Sequence, residues 1–241
     1  MRRAVRISGL LMIAGGVLCL LWVVVVWRWQ DPITALQTRR EQGRLADQYE
    51  RLLADWRPSV APPASTGSAP QRPAAPVSPQ QVARDAVAFR RLVRPGQAIG
   101  RIEIPRLGLG MVVVEGTDTE SLKKGPGRDP RTFMPGESRL VYIAGHRTTY
   151  GAPFARIDAI EPGDEVRLAV PYATFVYRAL GHEIVPADAI SRLRSPPHEL
   201  LRLQACHPRF FASHRYLVDA RLVRVEPQAG RPYEVPLATS G

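Results

Sequence analysis

The chain has 241 residues, 45% of them apolar, and a formal net charge of +11. That length and composition fit one folded domain with extensions. Residues 1–94 hold 14 basic and 6 acidic residues, whereas residues 95–241 hold 19 and 16, so the excess charge lies mostly in the N-terminal arm. No nucleic-acid-binding motif accompanies these charges, so we set aside a basic groove that binds nucleic-acid phosphates. The distribution favours an N-terminal arm that lies near anionic lipid or wall polymer.

The N-terminal residues 1–30 contain an uncharged run of 21 residues between Arg6 and Arg28. As a helix, such a run crosses a hydrocarbon layer of about 30 Å, and we predict one transmembrane anchor there. The arginines before the run favour a cytoplasmic N-terminus, and the tryptophans at its far end match an interfacial aromatic belt. We therefore expect the rest of the chain outside the cell. A cleaved signal peptide is the alternative, but its apolar region is usually shorter and ends at small residues.

Residues 31–94 are predicted to connect this anchor to the folded domain. Residues 34–56 have apolar side chains at loosely helical spacing, which indicates a juxtamembrane helix, and we favour a solvated spacer. Residues 57–82 contain seven prolines, a composition typical of an extended linker, here one that holds the domain off the membrane. A short helix around residues 82–93 leads into the fold.

Residues 95–228 form the predicted folded domain. Seven or eight short runs there are rich in β-branched and aromatic residues, alternate partly with period two, and are divided by Gly, Pro and Asp. Brief helical pieces are expected near residues 118–124, 153–160 and 188–193. This pattern predicts an all-β barrel or sandwich, followed by a C-terminal tail at residues 229–241.

Three polar residues stand at the ends of predicted strands, where a rigid sheet holds them and solvent reaches them. His146 follows the strand RLVYIAG, Cys206 ends LLRLQAC, and Arg215 opens the last strand. Cys206 is the one cysteine outside the apolar run, so a disulfide with Cys19 is excluded if that run lies in a bilayer. An unpaired thiol on an exported domain calls for burial or a reactive role.

The chemistry of these three residues suits nucleophilic catalysis. A thiol with an ordinary pKa of about 8.5 needs a nearby cation to become a thiolate. His146 can transfer protons to and from an amine, and Arg215 keeps its charge at any working pH and can stabilise an oxyanion. Pro208 should end the strand after Cys206, which places Cys206 and Arg215 on one hairpin.

The motifs around these residues resemble those of a known family. GHRTTYGAPF followed by PGDEV, and L-x-L-x-x-C-H-P-R followed by Arg nine residues after the Cys, are similar to the His, Cys and Arg signatures of the sortases, most of all class E. The resemblance covers roughly residues 96–226, and several motifs in the right order form a specific signal. It implies an eight-stranded sortase β-barrel, preceded by one transmembrane helix and a Pro-rich linker.

The resemblance also implies roles and partners. His146 would be the acid/base, Cys206 the nucleophile and Arg215 the stabiliser of oxyanion or substrate. The enzyme would cut a secreted protein's C-terminal sorting signal of the LPxTG or LAxTG type between Thr and Gly, through a thioester, and join it to an amine of a peptidoglycan precursor. Neither a cofactor nor a metal is implied.

The approach to Cys206 departs from the family pattern. Sortases usually have Thr-Leu-x-Thr-Cys, whereas this chain has Arg-Leu-Gln-Ala-Cys, with Ala205 in the position of the second Thr. The lost hydroxyl bears on substrate preference more than on the nucleophile. Ala205 is therefore a candidate substrate-binding position. Thr149 and Tyr150, just after His146, are two more, although closing their own loop is an equally good role.

Other interpretations remain open at this point. A pilus-polymerising sortase would use a pilin Lys as the amine, and a non-catalytic binding module would keep the fold alone. Arg215 has a structural alternative, an ion pair with Asp219. His207 adjoins the Cys, but neighbouring side chains in a strand point to opposite faces, and no zinc-site spacing is present.

Overall fold

The computed structural model describes residues 2–29, 32–58 and 77–236. Helices α1 to α4 span Arg2–Trp29, Pro32–Asp55, Pro79–Leu92 and Thr119–Lys124. Strands β1 to β5 span Ala98–Ile104, Leu109–Glu115, Gly127–Arg128, Leu140–Ala144 and Glu165–Val170. Strands β6 to β9 span Ala173–Pro186, Leu200–His207, His214–Pro227 and Tyr233–Glu234. Turns of 3₁₀ helix at Ile157–Ala159 and Ile190–Leu193 join α4 in confirming the predicted short helical pieces.

The strands close into a barrel. Their order is β6-β5-β1-β2-β3-β4-β7-β8, and a long antiparallel ladder between β6 and β8 joins the two ends. Closure removes the unpaired edges that an open sheet would expose. The prediction of an all-β, eight-stranded barrel is confirmed. The predicted tail contributes one further two-residue strand, β9, which pairs with the outer part of β8.

Period-two alternation decides which residues fill the barrel. β5 alternates between half-buried and buried residues along its length, as expected of a strand with one face on the core. In β7, Leu201, Leu203 and Ala205 are fully buried in the core cluster. The intervening residues of β7 consequently face the outer side of the barrel, and this places Cys206 on that side.

Helix α2 packs against the barrel, so the expectation of a solvated spacer is wrong. Leu45 and Tyr49 are buried against β1 and β2. The Gln42 amide accepts from Val112 N at 2.8 Å and donates to Val112 O at 3.0 Å and to Lys124 O at 2.9 Å. These contacts satisfy backbone groups that would otherwise need water. Periodicity showed the helix, but it did not show which surface would cover its apolar side.

The proline-rich segment lies largely in residues 59–76, outside the described residues, so its extended conformation stays a prediction. Its two flanks both lie on the barrel, however. Trp56 stacks edge-on with Phe89 of α3 at 5.5 Å between ring centroids, and Val77 packs against the same core cluster. The residues on both sides of the segment are therefore held against the barrel. The expectation that it holds the domain off the membrane stays a prediction as well, although α2, which precedes it in the chain, packs against the barrel.

Helix α1 contains a stretch, Val5–Val25, long and apolar enough to cross a membrane, and none of it is buried. Its leucines and valines are exposed; Leu18, for example, is 67% accessible. Such a surface needs an apolar environment. The length and composition expected of an anchor are present, while the topology stays a prediction.

Candidate active site

Cys206 and Arg215 face each other across the β7–β8 hairpin. They are direct partners in the antiparallel register, and such partners have Cβ atoms about 4.5–5.5 Å apart on one face of the sheet. β7 ends at His207, immediately before Pro208, where the sequence predicted a break. Cys206 is half-buried, Cys19 is exposed, and neither forms a disulfide. The fold thus delivers a thiol and a permanent cation to one spot on the rim.

His146 follows β4, which pairs in parallel with β7, the strand that carries Cys206. Ala144 of β4 is the partner of Gln204 of β7, and Gly145 N donates to Gln204 O at 2.9 Å. His146 lies two residues beyond Ala144, as Cys206 lies two residues beyond Gln204. Paired strands are about 4.8 Å apart, so the register brings the backbone at His146 close to the end of the strand that carries Cys206.

The imidazole of His146 sits in a dry setting. Its Nε2 is buried and has no hydrogen-bond partner among the described residues. Its ring packs against Tyr150 with 5.1 Å between centroids. Desolvation by burial lowers the pKa of His146 below its ordinary value, because a buried site disfavours the charged form. At neutral pH the ring is neutral and able to accept a proton.

Arg215 is oriented by its own loop. Its Nη1 donates to Ala212 O at 2.7 Å and to His214 O at 2.9 Å. Asp219 is bound instead by Arg202, through two contacts of 2.6 Å each. The structural alternative for Arg215, an ion pair with Asp219, is therefore wrong. Nε and Nη2 of Arg215 retain donors for a group that enters the site.

A groove of about 300 Å³ runs along the outer face of the barrel beside these residues. Cys206 and Arg215 lie in its wall, together with Gln204, the residue two before the Cys. Further wall residues come from the β3–β4 region and from the 3₁₀ turn after β6, among them Asp129, Arg131, Ile190 and Arg192. The strand period places Gln204 in the groove, on the same face of β7 as Cys206.

The three predicted substrate-binding positions are placed differently. Ala205 is fully buried in the barrel core, on the opposite face of β7 from the groove. Tyr150 packs on His146, and its backbone N–H donates to Thr34 Oγ1 of α2 at 2.9 Å. Thr149 closes its own loop, its carbonyl accepting from Ala152 N. Substrate contact for these residues stays a prediction.

Arg147 is a component that sequence analysis did not single out. Its guanidinium is only 5% exposed and lies behind the end of β7. Nη1 contacts His207 Nδ1 at 2.9 Å and Cys206 O at 3.4 Å, and Nη2 forms an ion pair with Asp158 at 3.0 Å. The only signal in the sequence was adjacency to His146. Neither spacing nor periodicity indicates where a long side chain finds its partners.

His207 is engaged by this arginine. Besides its contact with Arg147, its ring packs against Tyr216 with 5.9 Å between centroids. Within the described ranges, no group of three His, Cys, Asp or Glu side chains is placed to hold a metal ion.

The structure thus combines a closed β-barrel with a free thiol that faces an arginine at the barrel rim. Comparison with known proteins agrees: the sortase-domain family model matches residues 102–223. The chain belongs to the sortase family, whose members are cysteine transpeptidases that act on sorting-signal proteins and cell-wall amines.

Individual relatives support this placement. Sortase D of Bacillus subtilis is 35% identical over 133 residues, which cover 53% of this chain and 65% of that protein. The crystal structure of Sortase E1 from Streptomyces coelicolor, with a tripeptide in its active site, is 27% identical, has a TM-score of 0.53, and is matched over 56% of this chain and 94% of that one. A Clostridium perfringens Sortase D5 transpeptidase shares the fold, with a TM-score of 0.58, 20% identity, and coverage of 76% of this chain and 99% of that one.

Proposed function

We propose that this protein is a membrane-anchored sortase that cuts a C-terminal sorting signal between Thr and Gly and transfers the protein to a peptidoglycan amine. The observation that carries the proposal is the pairing of Cys206 with Arg215 in the wall of one groove, with His146 just after the strand that pairs with β7. A nucleophile, a proton carrier and a cation are the groups that this chemistry needs.

The first half-reaction forms a thioester. Neutral His146 takes the proton of the Cys206 thiol, and the thiolate attacks the Thr carbonyl carbon. Arg215 donates from its unused N–H groups to the oxyanion. As the tetrahedral intermediate collapses, the C–N bond breaks and the imidazolium gives its proton to the departing Gly amine. The hydrogen bonds that Arg215 Nη1 donates to two backbone carbonyls would hold the guanidinium in place during these steps.

The second half-reaction transfers the acyl group. The acceptor amine attacks the thioester carbonyl, and His146 removes the proton that the nitrogen loses. The C–S bond then breaks, the acyl group stays on the amine as an amide, and the proton returns to the cysteine sulfur. The lowered pKa of His146 supports this step, because the imidazole must be neutral to act as the base.

The sorting signal would lie extended in the groove along β7. Class E resemblance favours a signal of the LPxTG or LAxTG type. Gln204 and Cys206 both line the groove, so the signal's residues before Thr would pass Gln204. The tripeptide in the active site of the Streptomyces coelicolor relative supports peptide binding at this position.

The anchor and topology belong to the same proposal. Helix α1 would cross the membrane once, with its arginines on the cytoplasmic side and the barrel outside the cell. An extracytoplasmic barrel meets exported proteins after translocation. The apolar, unburied surface of Val5–Val25 supports this arrangement.

Cleavage of a fluorogenic sorting peptide tests the proposal. Full-length protein in vesicles should release the fluorophore when the thioester forms and should turn over repeatedly when an amine or water resolves it, and Cys206→Ala should abolish release. Mass spectrometry of the denatured protein should find the peptide acyl group on Cys206. Cleavage that persists in Cys206→Ala, or no cleavage of any LPxTG or LAxTG peptide, contradicts the proposal.

A further inference from the structure

Two phenylalanines stand exposed on the loop between β7 and β8, four and five residues after Cys206. Phe210 is 57% exposed and Phe211 is 82% exposed. Phe210 also has a φ of 73°, in the left-handed region that bulky side chains rarely adopt. A strained backbone that presents two rings to solvent is a feature that points to a partner for those rings.

The chemistry of this loop selects the partner. Residues 207–215 read HPRFFASHR and hold two Arg, two His and no carboxylate. Arg209 is exposed beside the rings. Aromatic rings with basic neighbours fit the interface of an anionic bilayer, where the rings enter the headgroup region and the cations meet lipid phosphates.

The short stretch of chain between α1 and α2 keeps the active-site rim of the barrel close to the proposed membrane helix. The segment Val5–Val25 ends four helical residues before Trp29, and these rise about 1.5 Å each. The five steps from Trp29 to Thr34 span at most about 18 Å even when extended. Thr34 is hydrogen-bonded to Tyr150 of the loop that carries His146. The catalytic loop therefore cannot move far from the end of the apolar helix.

The tethered loop and the phenylalanine loop are neighbours. Arg209 Nη2 donates to Ala155 O at 2.8 Å, and Phe154 N donates to His146 O at 3.1 Å. Residues 146–155 thus touch Thr34 of α2 on one side and the β7–β8 loop on the other. The proline-rich segment does not lengthen this tether, since it lies after α2 in the chain.

We infer that Phe210 and Phe211 dock the active-site rim onto an anionic bilayer surface, so that the enzyme works on substrates presented at the membrane. The inference rests on the proposed anchoring by α1 and deepens it. It names the surface that faces the lipid and implies that both scissile bond and acceptor amine lie close to the headgroups when they react.

Photo-crosslinking tests this inference in the full chain. p-Benzoylphenylalanine replaces Phe211, Leu180 or Leu18 in three otherwise unaltered proteins, reconstituted in vesicles of phosphatidylglycerol and phosphatidylethanolamine. Leu180 is the matched control, an exposed apolar residue on β6 at 48% accessibility, and Leu18 reports insertion of α1. We expect lipid adducts at positions 18 and 211 and none at position 180.

The outcomes separate the two proposals. An adduct at position 18 without one at 211, equal adducts at 211 and 180, or a protein dimer at 211 overturns membrane docking and leaves the anchor intact. No adduct at either 18 or 211 overturns both anchoring and docking. Cleavage of a soluble fluorogenic peptide by the unaltered protein reports catalysis separately, because it needs no contact between the rim and lipid.

Discussion

Arg147 contacts His207 Nδ1 at 2.9 Å and so ties the loop that carries His146 to the end of the strand that carries Cys206. The two catalytic candidates lie on separate strands, and a buried guanidinium is the side-chain link between their ends. The geometry of the proposed reaction depends on this link, because imidazole and thiol exchange a proton.

Loss of this link should lower turnover more than binding. Arg147→Met leaves His207 and Asp158 without their partner and lets the His146 loop shift, and a misplacement of about 1 Å can cost roughly 100-fold in rate. We expect kcat to fall by about that factor, with KM nearly unchanged, in steady-state peptide cleavage. Arg156→Met, an exposed arginine on the same loop, is the control. Equal losses in both variants would show a general effect of loop destabilisation.

The acid limb of the pH profile should lie below the ordinary histidine range. Burial lowers the pKa of His146, so the neutral base persists at pH values where an exposed histidine, with a pKa of about 6.5, is already charged. The pH dependence of kcat/KM for peptide cleavage measures this limb. A limb at pH 6.5 or above contradicts the assignment of His146 as the base.

Ionisation of the buried Glu199 carboxyl should lower the free energy of unfolding as the pH rises towards neutrality. Burial raises its pKa to about 7, although its carboxyl accepts from Tyr177 Oη at 2.7 Å and from Gly136 N at 2.8 Å. A pKa raised in the folded state contributes stability that is fully present below the unfolded value, near pH 4.5, and is lost as pH rises through about 7. The loss amounts to roughly 3 kcal/mol.

Glu199→Gln tests this directly. Glutamine resembles the protonated carboxyl: its oxygen can accept the backbone N–H, and its amide can donate to Tyr177. Urea unfolding at pH 5 and pH 8 should show a smaller difference in the free energy of unfolding for the variant than for the wild type. Glu103→Gln, on a half-exposed side chain, should leave the difference unchanged. A wild-type stability that is flat across this interval would contradict the prediction.

Helix α2 should be a stabilising part of the folded body. Gln42→Ala leaves Val112 N–H without its side-chain acceptor, and an unsatisfied buried group costs about 1–3 kcal/mol. We expect a lower Tm by differential scanning fluorimetry. Glu41→Ala, whose side chain pairs only with an exposed Arg44, should change the Tm little. An unchanged Tm for Gln42→Ala would mean that α2 is detached in solution.

Much of the fold followed from local pattern. Alternation in the strands, turn residues between them and the apolar run before Arg28 act over a few residues. They predicted an all-β barrel or sandwich, its short helices and a helix suited to an anchor, and the family resemblance supplied the eight-stranded barrel. The order of the motifs further suggested that His146, Cys206 and Arg215 belong to one site. These predictions concern residue types and their spacing, which local chemistry governs.

Other features depended on contacts between distant segments. The docking of α2 through Gln42 and Tyr49 joins residues far apart in sequence, and an amphipathic pattern does not name the surface that covers it. The role of Arg147 could not be predicted for the same reason, because its contact with His207 forms only when the barrel closes. Ala205 was chosen by motif position, and only the strand pleat shows that it faces the core while Gln204 faces the groove.

The sequence by itself determined an all-β domain behind an apolar helix, with one lone thiol, one histidine and one arginine at strand ends. Tertiary contacts settled how these residues are arranged: parallel pairing of β4 with β7 brings the end of the strand before His146 next to the strand of Cys206, and α2 contacts the His146 loop. Periodicity is a property of neighbouring residues, whereas register and docking are settled only when distant segments bury their surfaces together.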